Sequence, residues 1–269
     1  MEHHPPSLSA KKSLGQNFLT NPRVPEWMVD AAELTAGETV LEIGPGTGML
    51  TREFLRRGAR VIAIEADARA IELLQESFAD AISGGGLTLV HADVREINPK
   101  DYGLASGKFK LIANIPYYLS GVLFRQFLSG EITPQTLVFL TQKEVAQRIA
   151  RDKKESLLSL SVKAYGLPRY IKTVSRGNFS PSPKVDSAII AVYNISKEHF
   201  ATIDESFFFE LLHLGFGSKR KQLLGNLAKK FDRELLTEVF STLSLPETVR
   251  AEDMDLTMWL SLTKSLSKL

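Results

Sequence analysis

Two stretches of this 269-residue chain carry residue types that can do chemistry. The first, Thr39 to Gly48, reads Thr-Val-Leu-Glu-Ile-Gly-Pro-Gly-Thr-Gly. Gly44, Gly46 and Gly48 remove Cβ atoms where a backbone turns tightly and comes close to a ligand, which points to a nucleotide-like cofactor. Glu65, at the end of the next apolar run, is positioned to take ribose hydroxyls. Asp93, after a third run, is a candidate acceptor for an adenine amine. The second stretch, Asn114-Ile115-Pro116-Tyr117, closes a fourth apolar run with an amide oxygen, a proline-restricted backbone and an aromatic ring. Each feature has a structural alternative when taken alone. A glycine run is also a tight turn, an Asp after a strand is also a cap, and Asn-Ile-Pro-Tyr is also a strand exit.

The elements that must position these residues alternate. Val40, Leu41 and Ile43 suit a buried parallel strand, and helical spacing follows over Met49 to Arg57. A strand over Arg60–Ile64, a helix over Ala68–Ala81 and strands over Leu87–His91 and Phe109–Ala113 come next. Then come a helix over Val122–Leu128, a strand over Thr136–Thr141, a helix over Lys143–Ala150, further elements over Leu157–Ala164 and Tyr170–Ser175, and a last strand over Ala188–Tyr193. Ligands of open parallel sheets sit at the carboxyl ends of the strands, so Gly44, Glu65 and Asp93 should surround one crevice. Beyond Ser196 only helical spacing remains, over Phe207–Phe216, Gln222–Phe231, Arg233–Leu243 and Asp255–Leu266. The expectation is an α/β domain over residues 1–195, with residues 1–24 as an N-terminal arm, and a helical domain over 196–269.

Composition excludes several classes. There is no cysteine, which removes disulfides, thiolate nucleophiles and the usual zinc sites, and the five histidines lack ligand spacing, so no metal is expected. No apolar run is long enough to span a membrane, and the first ten residues lack a signal-peptide pattern, so a cytoplasmic protein is expected. Without a self-complementary apolar helix pattern, a monomer is the expectation. A net charge of +2 argues for no nucleic-acid partner by itself. Local clusters do: Lys11, Lys12, Lys184, Lys219, Arg220 and Lys221 together suit a surface that tracks phosphates.

The spacing Gly-x-Gly-x-Gly, with Met49 where a dinucleotide fingerprint has its third glycine, resembles motif I of the class I S-adenosylmethionine-dependent methyltransferases. Asn114 to Tyr117 resembles the Asn-Pro-Pro-Tyr motif of those that methylate amino groups. Leu14-Gly15-Gln16-Asn17-Phe18-Leu19, Phe179-Ser180-Pro181-Ser182-Pro183-Lys184-Val185-Asp186-Ser187 and Arg250-Ala251-Glu252 extend the likeness over nearly the whole chain. The sequence resembles the KsgA/RsmA family of small-subunit ribosomal RNA adenine N6,N6-dimethyltransferases. That resemblance implies a Rossmann-like, seven-stranded, mostly parallel sheet with a small all-helical C-terminal domain that binds RNA or the ribosome. It implies S-adenosylmethionine as cofactor, and 16S RNA within the small subunit or its precursor as partner. It also implies cofactor contacts from Asn17, Leu19, Gly44, Gly46, Glu65, Asp93 and Asn114, and a target adenine held by Asn114, Tyr117 and Phe179. The alternatives are a large-subunit adenine methyltransferase of the macrolide-resistance type and a non-catalytic assembly factor.

Overall fold

The computed structural model describes residues 8–11, 14–218 and 221–267. The arm ends in a two-residue strand, β1 (Phe18–Leu19), and helix α1 (Arg23–Ala31) follows. Strands and helices then alternate as β2 (Thr39–Ile43), α2 (Met49–Arg56), β3 (Arg60–Glu65), α3 (Ala68–Ser77), α4 (Ala79–Ser83) and β4 (Leu87–His91). The series continues with β5 (Phe109–Asn114), α5 (Ser120–Ser129), β6 (Thr136–Gln142), α6 (Lys143–Ala150), α7 (Leu157–Lys163), β7 (Leu167–Val174), β8 (Phe179–Ser180) and β9 (Ser187–Tyr193). Helices α8 (Glu205–Gly215), α9 (Leu223–Leu227), α10 (Arg233–Thr242) and α11 (Leu256–Leu266) complete the chain.

Seven strands form one sheet in the order β4-β3-β2-β5-β6-β9-β7, with β2 to β6 paired in parallel and β9 antiparallel to β6. This is the mostly parallel sheet expected from the sequence. Its central strands are buried almost throughout, which is why they read as continuous apolar runs rather than as an alternation. Register does the positioning. Ile43 lies opposite Ile64, Glu42 opposite Ile112, Glu65 opposite His91 and Asn114 opposite Leu140. Gly44, Glu65, Asn114 and the residues after His91 therefore leave the sheet along one edge.

The chain packs as two compact units. One holds the residues up to Ala146 together with Pro168–Ile195, and the other holds Gln147–Leu167 together with the residues from Ser196 onward. A continuous domain over 1–195 is thus not how the chain is divided. The reason lies in the α7 segment: Leu160, Val162, Ala164 and Tyr165 are buried. The Tyr165 ring stacks on Phe209 at 5.9 Å, and its hydroxyl donates to Glu205 at 2.6 Å. Within this second unit Trp259, Phe208, Phe240 and Leu212 are fully buried. A Cβ on Gly215 would lie 2.4 Å from the Trp259 ring, so α8 and α11 approach closely only because that position has no side chain.

Two predicted helices are shorter than their spacing suggests. The one expected over Ala68–Ala81 breaks at Phe78, whose φ of −125° turns its ring into the core under the glycine loop. The one expected over Gln222–Phe231 ends at Leu227, and the chain turns so that Asp232 can cap α10 through the N–H groups of Glu234 and Leu235. Among the described residues no helix is long and apolar enough to cross a membrane.

The contact beneath the loop makes a test. Gly48 has φ +77°, and a Cβ there would meet Phe78 at 2.4 Å. Gly48→Ala should lower folding stability by roughly 2–4 kcal/mol through the combined backbone and packing strain. Chemical denaturation checks it, and a loss below about 1 kcal/mol would mean that Phe78 moves aside freely.

Candidate active site

The cleft at the carboxyl edge of the sheet is lined by the arm from Leu14 to Phe18, the glycine loop, Glu65 and Ala66, Ala92 to Arg95, Asn114 to Leu119, and Phe179. Gly44 and Gly46 hold φ values of +65° and +57°, a region where side chains are strained. A Cβ on Gly44 would meet no protein atom within 4 Å and would stand in the cleft itself. On Gly46 it would press the Phe18 ring at 3.0 Å. The loop is therefore bare where a ligand would pass and tight where the arm covers it.

Glu65 is fixed by backbone. The Gly46 N–H donates to one carboxylate oxygen at 3.1 Å and the Asp67 N–H to the other at 2.9 Å. Each oxygen keeps a lone pair for a hydroxyl. Burial raises the Glu65 pKa, and the backbone donors oppose that shift. Two residues on, Asp67 is buried yet held as a carboxylate far below the usual range, first by the Arg69 guanidinium at 2.6 Å, with Gln16 donating at 3.1 Å. Arg69 in turn donates to the Ser9 carbonyl at 3.2 Å. This network ties the arm to the end of β3. Lys11, expected on the RNA surface, joins it at 3.5 Å from Asp67.

Asn114 lies at the end of β5, and its Nδ2 donates to the Asn17 carbonyl at 3.1 Å. The amide is thereby oriented with Oδ1 free of any protein donor among the described residues. The following carbonyl, that of Ile115, likewise receives no N–H from them. The next residues form a single 3-10 turn, Tyr117–Leu119, in which the Tyr117 hydroxyl meets the Ser187 hydroxyl at 2.7 Å and fixes the ring. Burial raises the Tyr117 pKa, so the phenol stays protonated.

Three predicted residues have surroundings that the sequence did not show. Asp93 lines the cleft, but Arg95 grips its carboxylate, with Nε at 3.0 and 3.1 Å from the two oxygens. Its pKa is lowered accordingly, so the cleft presents Asp93 as a carboxylate already paired with a guanidinium. Leu19 is buried and does not line the cleft, because its strand pairs antiparallel with β8, opposite Phe179. Phe179 borders the cleft but is only 5% exposed, packed in the main core. Lys184 and Lys221 are exposed, while Lys12, Lys219 and Arg220 lie outside the described residues. Arg95, Gln16, Phe18 and Tyr118 were not singled out by sequence. Gln16 and Phe18 fell inside a quoted motif, whereas Arg95 carries only the weak signal of an acid two residues earlier.

Glu42 lies behind the loop, fully buried, accepting from Thr51 at 2.6 Å while its other oxygen has no partner. Burial is the main cause that pushes its pKa up to about 8, and the nearby Glu65 charge adds to it.

The residues fit S-adenosylmethionine, the cofactor that the sequence resemblance implies. A bare glycine loop and the backbone-anchored Glu65, the acid expected to take ribose hydroxyls, line the same cleft as Asn114. Similarity to known proteins bears on this. The family model described as ribosomal RNA adenine dimethylase matches residues 7–268. A curated relative from Dehalococcoides mccartyi, ribosomal RNA small subunit methyltransferase A, is 36% identical over 94% of this chain and 87% of its own length. A solved dimethyladenosine transferase from Plasmodium falciparum superposes with a TM-score of 0.77 at 27% identity, covering 93% of this chain and 98% of that one. The 23S rRNA methyltransferase ErmE superposes at 0.72 with 25% identity, covering 93% and 100%.

The state of Glu42 sets a pH dependence. Between the ordinary carboxylate range and about pH 8 the folded protein keeps a proton that the unfolded chain releases, so stability falls as pH rises through that window. The raised Glu65 contributes with the same sign. Glu42→Gln should flatten the fall without abolishing it. Denaturant midpoints from about pH 5 to pH 9 measure this, and parallel slopes in the two proteins would contradict it.

Proposed function

This chain belongs to the ribosomal RNA adenine dimethylase family, and from that premise we propose that it methylates N6 of two adjacent adenosines in the hairpin near the 3′ end of small-subunit ribosomal RNA. It is an S-adenosylmethionine-dependent enzyme, and in this reading it works on small-subunit RNA in the cytoplasm. The observation that carries the residue-level reading is the Asn114 amide: its donor side is held by the Asn17 carbonyl, which leaves Oδ1 as an acceptor beside Glu65 and the glycine loop.

Adenine N6 is a weak nucleophile because its lone pair is delocalised into the ring. Two acceptors on its hydrogens favour pyramidal geometry and return the pair to nitrogen. Asn114 Oδ1 and the Ile115 carbonyl are the acceptors in this reading, and Tyr117, fixed through Ser187, supplies the stacking face. Bound S-adenosylmethionine supplies an activated sulfonium methyl. Glu65 holds the ribose end, so the chain contributes mainly orientation. Phe179, buried beside Leu19, supports the wall of the cleft rather than offering an open face. Exposed Lys184 and Lys221 remain candidates for phosphate contact.

The dimethyladenosine transferase and the 23S rRNA methyltransferase both share the fold, so the fold does not choose between ribosomal subunits. Identity of 36% along most of the chain to a relative named for the small subunit favours that target. Transfer of labelled methyl groups to unmethylated small subunits, with large subunits and duplex DNA in parallel, tests it. Dimethyladenosine in small-subunit RNA alone is expected. Label in the large subunit would favour the resistance-type reading, and binding without label would favour an assembly factor. Asn114→Ala should lower kcat by about 10²–10³-fold, the size of one lost preorganised contact, while small-subunit binding persists. Glu65→Ala should weaken S-adenosylmethionine binding by about 10- to 100-fold in calorimetry, and unchanged affinity would remove Glu65 from the ribose site.

A further inference from the structure

At the mouth of the cleft one aromatic ring has no role in the chemistry above. Tyr118 lines the cleft yet is 60% exposed, beside a Tyr117 that is largely covered. No hydrogen bond holds its hydroxyl among the described residues. The ring is nevertheless seated by the arm: a Cβ on Gly15 would lie 3.2 Å from Tyr118 Cε1, and Gly15 has φ +61°. Bare backbone thus fits against one edge of the ring and leaves the rest to solvent.

The exposure continues along one face. Tyr118 leads directly into α5, where Val122 is 47% exposed and Arg125 is exposed as well. Val122 and Arg125, three residues apart, share one side of α5, and Tyr118 stands in the 3-10 turn at its start. Leu123, Phe124 and Phe127 take the opposite side and are buried, so the outer residues are not needed to pack it. Arg125 has no ion pair among the described residues, in contrast to Arg56, Arg57, Arg69 and Arg95. An open ring, an apolar step and an unpaired cation leading away from a base-sized cleft match a nucleotide: the base stacks on the ring and the phosphate meets the cation.

We propose that Tyr118, Val122 and Arg125 form a docking strip for the nucleotide that flanks the target adenosine, with its base on Tyr118 and its phosphate at Arg125. The strip explains how an adenine can leave its stack while its neighbour keeps one, which lowers the cost of extrusion. It rests on the RNA-methylating reading of the cleft, and it adds a positioning surface outside the reacting atoms. Gly15 then has two tasks, turning the arm and setting the ring.

The test uses the full-length protein with Tyr118→Ala, Tyr118→Phe and Arg125→Ala. Two readouts are taken: methyl transfer to unmethylated small subunits, and fluorescence anisotropy of a labelled RNA hairpin from that subunit, which needs no transfer. Tyr118→Ala should raise both KM and the hairpin Kd by about tenfold, the size of one base–aromatic stack, with a larger effect on KM than on kcat and an unchanged Tm. Tyr118→Phe should stay within about twofold of the parent protein, because the ring does the stacking. Arg125→Ala should reduce the slope of log Kd against log salt by about 0.7–0.9, as expected for one lost phosphate. A Tyr118→Ala protein that binds the hairpin like the parent, or a Phe variant as weak as the Ala variant, overturns the strip. Absence of methyl transfer by the parent protein would overturn the functional reading instead, and the hairpin affinities would still decide the strip.

Discussion

The site depends on one carboxylate held by backbone. Glu65 lies at the end of a buried strand, where a charged or polar group must be given donors to replace water. The N–H groups of Gly46 and Asp67 supply them, one to each oxygen. That clasp joins the loop after β2 to the loop after β3 and holds the glycine turn in its left-handed conformation. It also sets the buried Asp67 at the sheet edge, where its side chain gathers Gln16, Lys11 and Arg69. The arm is drawn across the edge as a result. Once it is there, the Asn17 carbonyl engages Asn114. The amide that would accept the amine hydrogens is therefore set by a path that begins at Glu65.

Three acids within one short region have been given different charge states by their surroundings. Glu42 is sealed behind the loop with one donor and one unpaired oxygen, so it keeps its proton to about pH 8. Asp67, equally close to the fold's interior, is a firm anion because Arg69 and Gln16 meet it directly. Glu65 lies between them, with burial opposed by backbone donors. A neutral Glu42 spares Glu65 the repulsion of a second buried anion. The arrangement keeps negative charge at the sheet edge and removes it from the core beneath.

Much of this was legible in the residues themselves. The parallel strands announced themselves as unbroken apolar runs, because burial on both faces leaves no polar alternation to read. The glycine loop and the place of Glu65 were legible for a similar reason: left-handed backbone demands glycine, and an acid that closes an apolar run falls at the carboxyl end of its strand. Helix limits were less so. Phe78 looks like one more apolar position in a helical repeat, and only its contact beneath Gly48 shows why the helix breaks there.

The sequence by itself determined the kinds of element, the sheet edge on which the chemistry gathers, and the acceptors and rings at the ends of β3 and β5. Those follow from local periodicity and from the special backbone needs of single residues. Only the tertiary structure decided which side chains remain available. Asp93 is engaged by Arg95, Leu19 and Phe179 are turned into the core by the β1–β8 pairing, Lys11 is drawn to Asp67, and Tyr118 is left open. It also assigned Gln147–Leu167 to the helical unit. Each of these depends on a partner remote in sequence, and a local pattern records that a side chain can bond or pack without recording what it will meet.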